Sequence, residues 1–194
     1  MQVNIAIFAS GAGTNAENLI THFNKSSSNT TIQLIVCNKE DAGVLNIAKK
    51  HTIETLLVLD KIYFTSDQFV ADLKSKHIDF IVLSGFLWLI PTSLLKNYSK
   101  KIINIHPSLL PKYGGKGMYG NKVHEAVLKN KERESGITIH YVDEKFDSGE
   151  VLFQHSINIE SIVDAAALAE AIHQLEYKYF PMVTEQTIKK TYNL

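Results

Sequence analysis

The chain has 194 residues, 45% hydrophobic and 21% charged, which suits one domain with a substantial core. Its 20 Lys and Arg balance its 20 Asp and Glu, so it lacks the basic excess that drives non-specific nucleic-acid binding. Cys37 is the only cysteine, which excludes an intrachain disulfide and a cysteine-rich zinc cluster, and no apolar run approaches the ~18 residues of a membrane span. The expectation is a single cytoplasmic domain over residues 1–194, without membrane or nucleic-acid partners, as a monomer or homodimer.

Residues 3–9 form a short apolar strand. Ser10-Gly11-Ala12-Gly13-Thr14-Asn15 follows, and residues 16–23 have helical periodicity. Strand, glycine-rich turn and helix open many phosphate-binding α/β folds, because glycines let backbone N–H groups approach an anion at a helix N-terminus. The motif is neither a Walker loop nor G-x-G-x-x-G. It reads as a monophosphate cradle, with a plain tight turn as the bland alternative.

Strands are then expected at 32–37, 55–59 and 79–83, and helices at 41–50 and 67–75. The run 79–83 is nearly continuous in apolar residues, as buried parallel strands are. Ser84-Gly85-Phe86-Leu87-Trp88-Leu89-Ile90-Pro91 comes next, as core or as the wall of an apolar pocket at the carboxyl end of the sheet. Thr92 is expected to cap a helix to about residue 98. Residues 102–106 form a strand, 112–121 a glycine-rich loop, and 122–128 a short helix. Strands at 135–142 and 151–159 pair as an antiparallel hairpin around the acidic loop 143–149. A long helical pattern, 164–189, is interrupted at Pro181. The fold class is α/β: a Rossmann-like open mixed sheet, mostly parallel, with an antiparallel C-terminal hairpin and helices on both faces.

The stretch Ile102-Ile103-Asn104-Ile105-His106-Pro107-Ser108-Leu109-Leu110-Pro111 organises the rest. Asn104 and His106 share one side of an extended strand, and Pro107 ends it with a rigid exit. An amide can donate to a developing oxyanion, and an imidazole can move a proton near neutral pH. Such a pair can equally satisfy loop backbone. His140 is open between core hydrogen bonding and a site role. His22, His51, His77, His124 and His155 stand alone and read as structural or surface residues; with no H-x-x-x-H pair, no metal is expected.

The string Asn-Ile-His-Pro-Ser-Leu-Leu-Pro resembles the signature of the folate-dependent formyltransferases. The Ser-Gly-x-Gly-Thr-Asn opening, the Ser-Gly-Phe, and His140 followed by Asp147 extend that resemblance over roughly residues 3–185, toward the phosphoribosylglycinamide branch. The resemblance implies formyl transfer from 10-formyltetrahydrofolate, as co-substrate, to the amine of glycinamide ribonucleotide in purine synthesis. It implies a catalytic trio of Asn104, His106 and Asp147. Gly13, Thr14 and Asn15 would hold the substrate phosphate, and His173, Gln174, Leu175 and Glu176 would touch the ribonucleotide. Leu87, Trp88, Leu89 and Ile90, with Asn104 and the loop Asp143, Glu144, Lys145, Phe146 and Asp147, would form the folate pocket.

Three departures stand out. Trp88 occupies a position commonly Arg, and no Arg lies near 63–68 to meet a folate glutamate tail. The loop Tyr113-Gly114-Gly115-Lys116-Gly117-Met118-Tyr119-Gly120 is longer than the common form and can reshape the ribonucleotide entrance. Competing readings are a formylfolate deformylase, a sugar-amine formyltransferase, a methionyl-tRNA formyltransferase and a non-catalytic phosphate-binding module. The tRNA enzyme carries a further C-terminal β-domain, and the deformylase usually an extra N-terminal one. Neither is expected from a chain whose first strand starts at Val3 and whose last helix is followed by Thr191-Tyr192-Asn193-Leu194.

Overall fold

The computed structural model describes residues 1–194. Its framework is a seven-stranded sheet in the order β3-β2-β1-β4-β5-β6-β7. The strands are β1 (Val3–Ala9), β2 (Thr30–Cys37), β3 (Glu54–Leu57), β4 (Phe80–Leu83), β5 (Ile102–His106), β6 (Glu134–Tyr141) and β7 (Val151–Asn158). The first five run parallel, and β6 and β7 add antiparallel. The helices are α1 (Thr14–Lys25), α2 (Gly43–Lys50), α3 (Lys61–Thr65), α4 (Asp67–Ser75), α5 (Thr92–Asn97), α6 (Asn121–Lys129) and α7 (Ala165–Tyr192).

Side chains of β1 alternate between two cores, as period-two geometry requires. Val3, Ile5, Ile7 and Ala9 join the larger core with α1, α6 and α7, while Ala6 and Phe8 join the smaller one with α4 and α5. A strand buried on both faces must be apolar throughout, and so Val-Asn-Ile-Ala-Ile-Phe-Ala is nearly so.

Strand order reverses at β1. The chain steps outward through β2 and β3, then returns to β4 on the other side. The loops leaving β1 and β4 therefore diverge at their carboxyl ends and open a crevice. The two loops are tied across it: Ser10 N–H donates to Gly85 O at 3.2 Å, and Leu87 N–H donates to Ser10 Oγ at 3.1 Å.

Four expectations need correction. Pro181 does not interrupt α7, which is continuous from Ala165 to Tyr192. A proline orphans the carbonyl four residues earlier; here that is Tyr177 O, and the Asn18 side chain of α1 donates to it at 2.8 Å. Thr92 is the first residue of α5 and makes no side-chain cap; the Pro91 carbonyl opens the helix instead, accepting from Leu94 and Leu95 N–H. The third strand runs from Glu54 to Leu57, two residues short of 59, although Val58 N–H still donates to Cys37 O at 2.8 Å. The one-turn helix α3, capped by Asp60 accepting from Ile62 N–H, is too short to show periodicity and was not expected.

Candidate active site

A cavity of about 1330 Å³ lies at the crevice. It exceeds the ~300–1,000 Å³ of one small-molecule site and has room for two ligands side by side. Three kinds of wall meet there.

The first is the turn after β1. Gly13 adopts φ +83° at the N-cap of α1, and a Cβ there would meet Val44 Cα at 2.7 Å. Only glycine fits, and the first N–H groups of α1, which have no intrahelical partners, lie at the cavity rim. Gly13, Thr14 and Asn15 all line the cavity. Asn15 Nδ2 donates to Glu176 Oε2 at 2.8 Å, and His173 Nδ1 meets the same oxygen at 2.9 Å. The Glu176 bond to His173 holds that imidazole pKa above its ordinary value despite partial burial. Thus α1 and α7 are joined where His173 and Glu176 face the cavity. Gln174 and Leu175 do not line it: Gln174 bonds Glu170 on the exposed face, and Leu175 packs on the larger core. Helical geometry separates them, since three residues apart share a face and adjacent ones do not.

The second wall is apolar. Phe86, Leu87, Trp88 and Leu89 line it, together with Phe64, and Phe86 and Trp88 also pack on the smaller core, so the run after β4 is pocket wall and core edge at once. Ile90 is the exception: it is buried in the smaller core. Trp88 lies edge-on to Phe64, ring centroids 5.3 Å apart, and Lys61 Nζ sits 5.4 Å from its ring. The opposite side comes from Glu144, Lys145, Phe146 and Asp147. Asp143 is not part of the lining; its carboxylate accepts from Lys145 N–H and Ser148 Oγ–H and braces the loop from behind.

The third group joins the other two. Asn104 and His106 lie at the end of β5, and Asp147 swings in from the β6–β7 loop at φ +56°. His106 Nδ1 is 3.5 Å from Asp147 Oδ2, and Asn104 Nδ2 is 3.4 Å from Asp147 Oδ1. Gly115 N–H donates to Asp147 Oδ2 at 2.9 Å. Register places His140 on β6 directly opposite Asn104. Its Nε2 lies 3.1 Å from Asn104 Nδ2, and its Nδ1 lies 2.8 Å from Tyr141 O. His140 is thus both a buried core histidine and a contact of the trio.

Hydrogen-bond logic fixes two tautomers. His106 Nε2 faces Tyr113 O at 2.8 Å and must carry a proton, so in the neutral ring Nδ1 presents a lone pair. His140 Nδ1 faces a carbonyl and must donate, so its Nε2 accepts from Asn104. Burial pushes the His106 pKa down, and this outweighs the attraction of Asp147 that favours imidazolium. Burial alone would raise the Asp147 carboxyl, yet His140, the charge of His106 and the Gly115 amide together hold it below the usual carboxylate range.

His124, read from sequence as structural, lines the cavity beside Glu176, and its buried Nδ1 has no partner. Phe64 and Lys61 also line it. No local pattern marks them; only the packing of α3 and α6 against the crevice does. The glycine-rich loop supplies Gly115, Lys116, Gly117, Met118, Tyr119 and Gly120 to the rim, as an entrance loop should.

The profile of the family described as formyl transferase matches residues 3–184. The chloroplastic phosphoribosylglycinamide formyltransferase of Arabidopsis thaliana is 37% identical over 91% of this chain and 62% of its own length. The chain therefore spans less than two thirds of that relative, and 59% of a similar Vigna unguiculata protein. The Bacillus subtilis phosphoribosylglycinamide formyltransferase is 34% identical over 94% of this chain and 93% of its own. A crystal structure of the Bacillus halodurans phosphoribosylglycinamide formyltransferase superposes with a TM-score of 0.87 at 34% identity, covering 98% of both chains. With a family profile covering nearly all of it, the chain belongs to the formyl transferase family.

Proposed function

We propose that the protein transfers a formyl group from 10-formyltetrahydrofolate to the amine of glycinamide ribonucleotide, a step of purine synthesis. The observation that carries this reading is the meeting of Asn104, His106 and Asp147 between a phosphate-type helix terminus and an apolar wall within one cavity. The names of the relatives point the same way.

The roles follow from donors and acceptors. Gly13, Thr14 and the α1 N-terminus take the phosphate, and Asn15 and Glu176 set the distance from it to the ribose. His173 and Glu176 offer acceptors and donors to ribose hydroxyls. Phe86 to Leu89 and Phe146 accept the flat pterin, and Trp88 with Lys61 flanks its exit.

The amine nitrogen attacks the formyl carbon, the C=O pair moves onto oxygen, and the nitrogen becomes positive. Asn104 has two amide N–H groups. One is committed to His140; the other makes only a long contact to Asp147, which the developing oxyanion can displace. Such a donor is worth about 3–4 kcal/mol of barrier. The Nδ1 lone pair of neutral His106 takes the proton shed by the amine. The resulting imidazolium is stabilised by Asp147 and returns a proton to the folate nitrogen as the C–N bond breaks and the oxyanion collapses. Activity requires neutral His106 at rest, so the acid limb of the rate profile reports its protonation.

The test is absorbance at the wavelength of deformylated folate, with protein, a formyl-folate analogue and glycinamide ribonucleotide. Product that requires the ribonucleotide is expected. Product without it would instead indicate a hydrolase; product only with an amino sugar, a sugar-amine formyltransferase; none with any acceptor, a binding module.

A further inference from the structure

Resting on the role of His106 above, we infer that the Tyr113 side chain, gripped outside the cavity by Glu132 and Asn130, is the positioning group that holds His106 in its Nε2–H tautomer.

The backbone of residues 113–115 touches two members of the trio at once. Tyr113 O accepts from His106 Nε2 at 2.8 Å, and Gly115 N–H donates to Asp147 Oδ2 at 2.9 Å. This short run is a template that sets the imidazole and the carboxylate against each other. Its conformation is not a relaxed one. Tyr113 sits at φ +57°, where a bulky residue is strained by about 1–3 kcal/mol unless its surroundings over-determine it.

What over-determines it is a polar grip on the far side of the loop. The Tyr113 hydroxyl donates to Glu132 Oε1 at 2.9 Å and accepts from Asn130 Nδ2 at 2.8 Å. Burial raises the hydroxyl pKa, so the phenol remains a donor. Lys112 Nζ braces Glu132 at 3.0 Å, and Ser108 Oγ–H donates to Lys112 O at 2.7 Å. Asn130 is the C-cap of α6, so the grip ties the loop to a helix end packed on the larger core. Tyr113 does not line the cavity, and its ring packs against the larger core. Its effect on the reaction passes wholly through its carbonyl.

The carbonyl matters because it decides which nitrogen carries the proton. Without it the neutral ring can place its proton on Nδ1, toward Asp147, and the base is lost. The charged and titratable groups facing His106 are Asp147 from the β6–β7 loop, His140 from β6, Glu176 from α7 and His124 from α6. None of them bonds its Nε2. The Tyr113 carbonyl also supports the imidazolium, so loosening it lowers the pH at which His106 protonates.

The test is Tyr113→Phe, which keeps the ring and deletes the grip, with Glu132→Ala, which removes the acceptor of the Tyr113 hydroxyl, as a second variant should the first fold poorly. Two readouts are needed. In 15N-histidine NMR, wild type is expected to show His106 as the Nε2–H tautomer and Tyr113→Phe a mixture. In kinetics, kcat is expected to fall about 10- to 100-fold, the scale of a small misplacement, with KM for both substrates within about twofold. The acid limb should move to lower pH. A purely structural role would lower activity without moving the limb or the tautomer, and that result overturns the inference, as does a wild-type profile in both variants. His106→Ala run alongside separates the two proposals: if it retains turnover, the role of His106 itself is wrong. If it is inactive while both grip variants behave as wild type, only the grip falls.

Discussion

His140 and Asn104 meet at 3.1 Å across β5 and β6, and the tautomer of the first dictates the orientation of the second. Because His140 Nδ1 donates to its neighbour's carbonyl, Nε2 can only accept, and Asn104 must present its NH2 rather than its oxygen. A buried histidine thereby aims the amide that the proposed reaction uses. Asn104→Asp keeps the shape but removes the donor of this bond, setting two acceptors face to face. We expect kcat to fall about 10²–10³-fold, the range for losing an oxyanion donor, with little change in the affinity of a formyl-folate analogue measured by calorimetry.

Asp147→Asn is expected to lower turnover at least ~100-fold with the fold preserved. Asn is among the few residues that tolerate the positive φ found at this position. Removing the negative charge also removes a support of the His106 imidazolium, so any residual activity should persist to lower pH than in wild type. Steady-state rates across the acid range, with circular dichroism as a fold control, check both statements. Near-normal turnover would remove Asp147 from the mechanism.

Gly13→Ala forces a Cβ to within 2.7 Å of Val44 Cα at a positive φ. Relief requires α2 or the phosphate loop to move, at about 1–3 kcal/mol, or roughly 2–10 °C in Tm for a chain this size. The KM for ribonucleotide should rise more than about tenfold, while that for the formyl donor stays near wild type. Equal losses for both substrates would disconnect this turn from phosphate binding.

Trp88 is the only tryptophan in the chain and lies in the apolar wall. Its fluorescence therefore reports that wall alone. A formyl-folate analogue should quench it saturably, whereas glycinamide ribonucleotide by itself should leave it nearly unchanged. Quenching by ribonucleotide alone would reverse the two halves of the cavity.

Acid stability is expected to depend on a contact far from the site. Burial would raise the Glu185 carboxyl, but Lys189, His22 and Ser26 all bond it and bring it down to about 2. A depressed carboxylate stabilises the fold fully above its ordinary value of 4.5 and loses that contribution as pH falls toward about 2. Glu185→Gln should lower Tm at neutral pH and flatten its decline below about pH 5. Parallel Tm curves for the two proteins would rule this out.

The sequence alone determined the βαβ alternation, the glycine turn, the Asn-x-His strand end and the family, because these are local: period, turn chemistry and a contiguous string. It also marked Asp147, through a resemblance rather than through any pattern of its own. Other features were decided only in three dimensions. Strand register put His140 against Asn104, and an Asn on α1 let α7 run through Pro181 by filling the bond that proline vacates. Helical phase kept His173 and Glu176 in the cavity and turned Gln174 and Leu175 away. The same packing brought His124, Phe64 and Lys61 into the wall and seated Tyr113 beneath His106. Each of these depends on partners distant along the chain, and the free energy that fixes them arises from burial and hydrogen bonds formed only when the sheet closes.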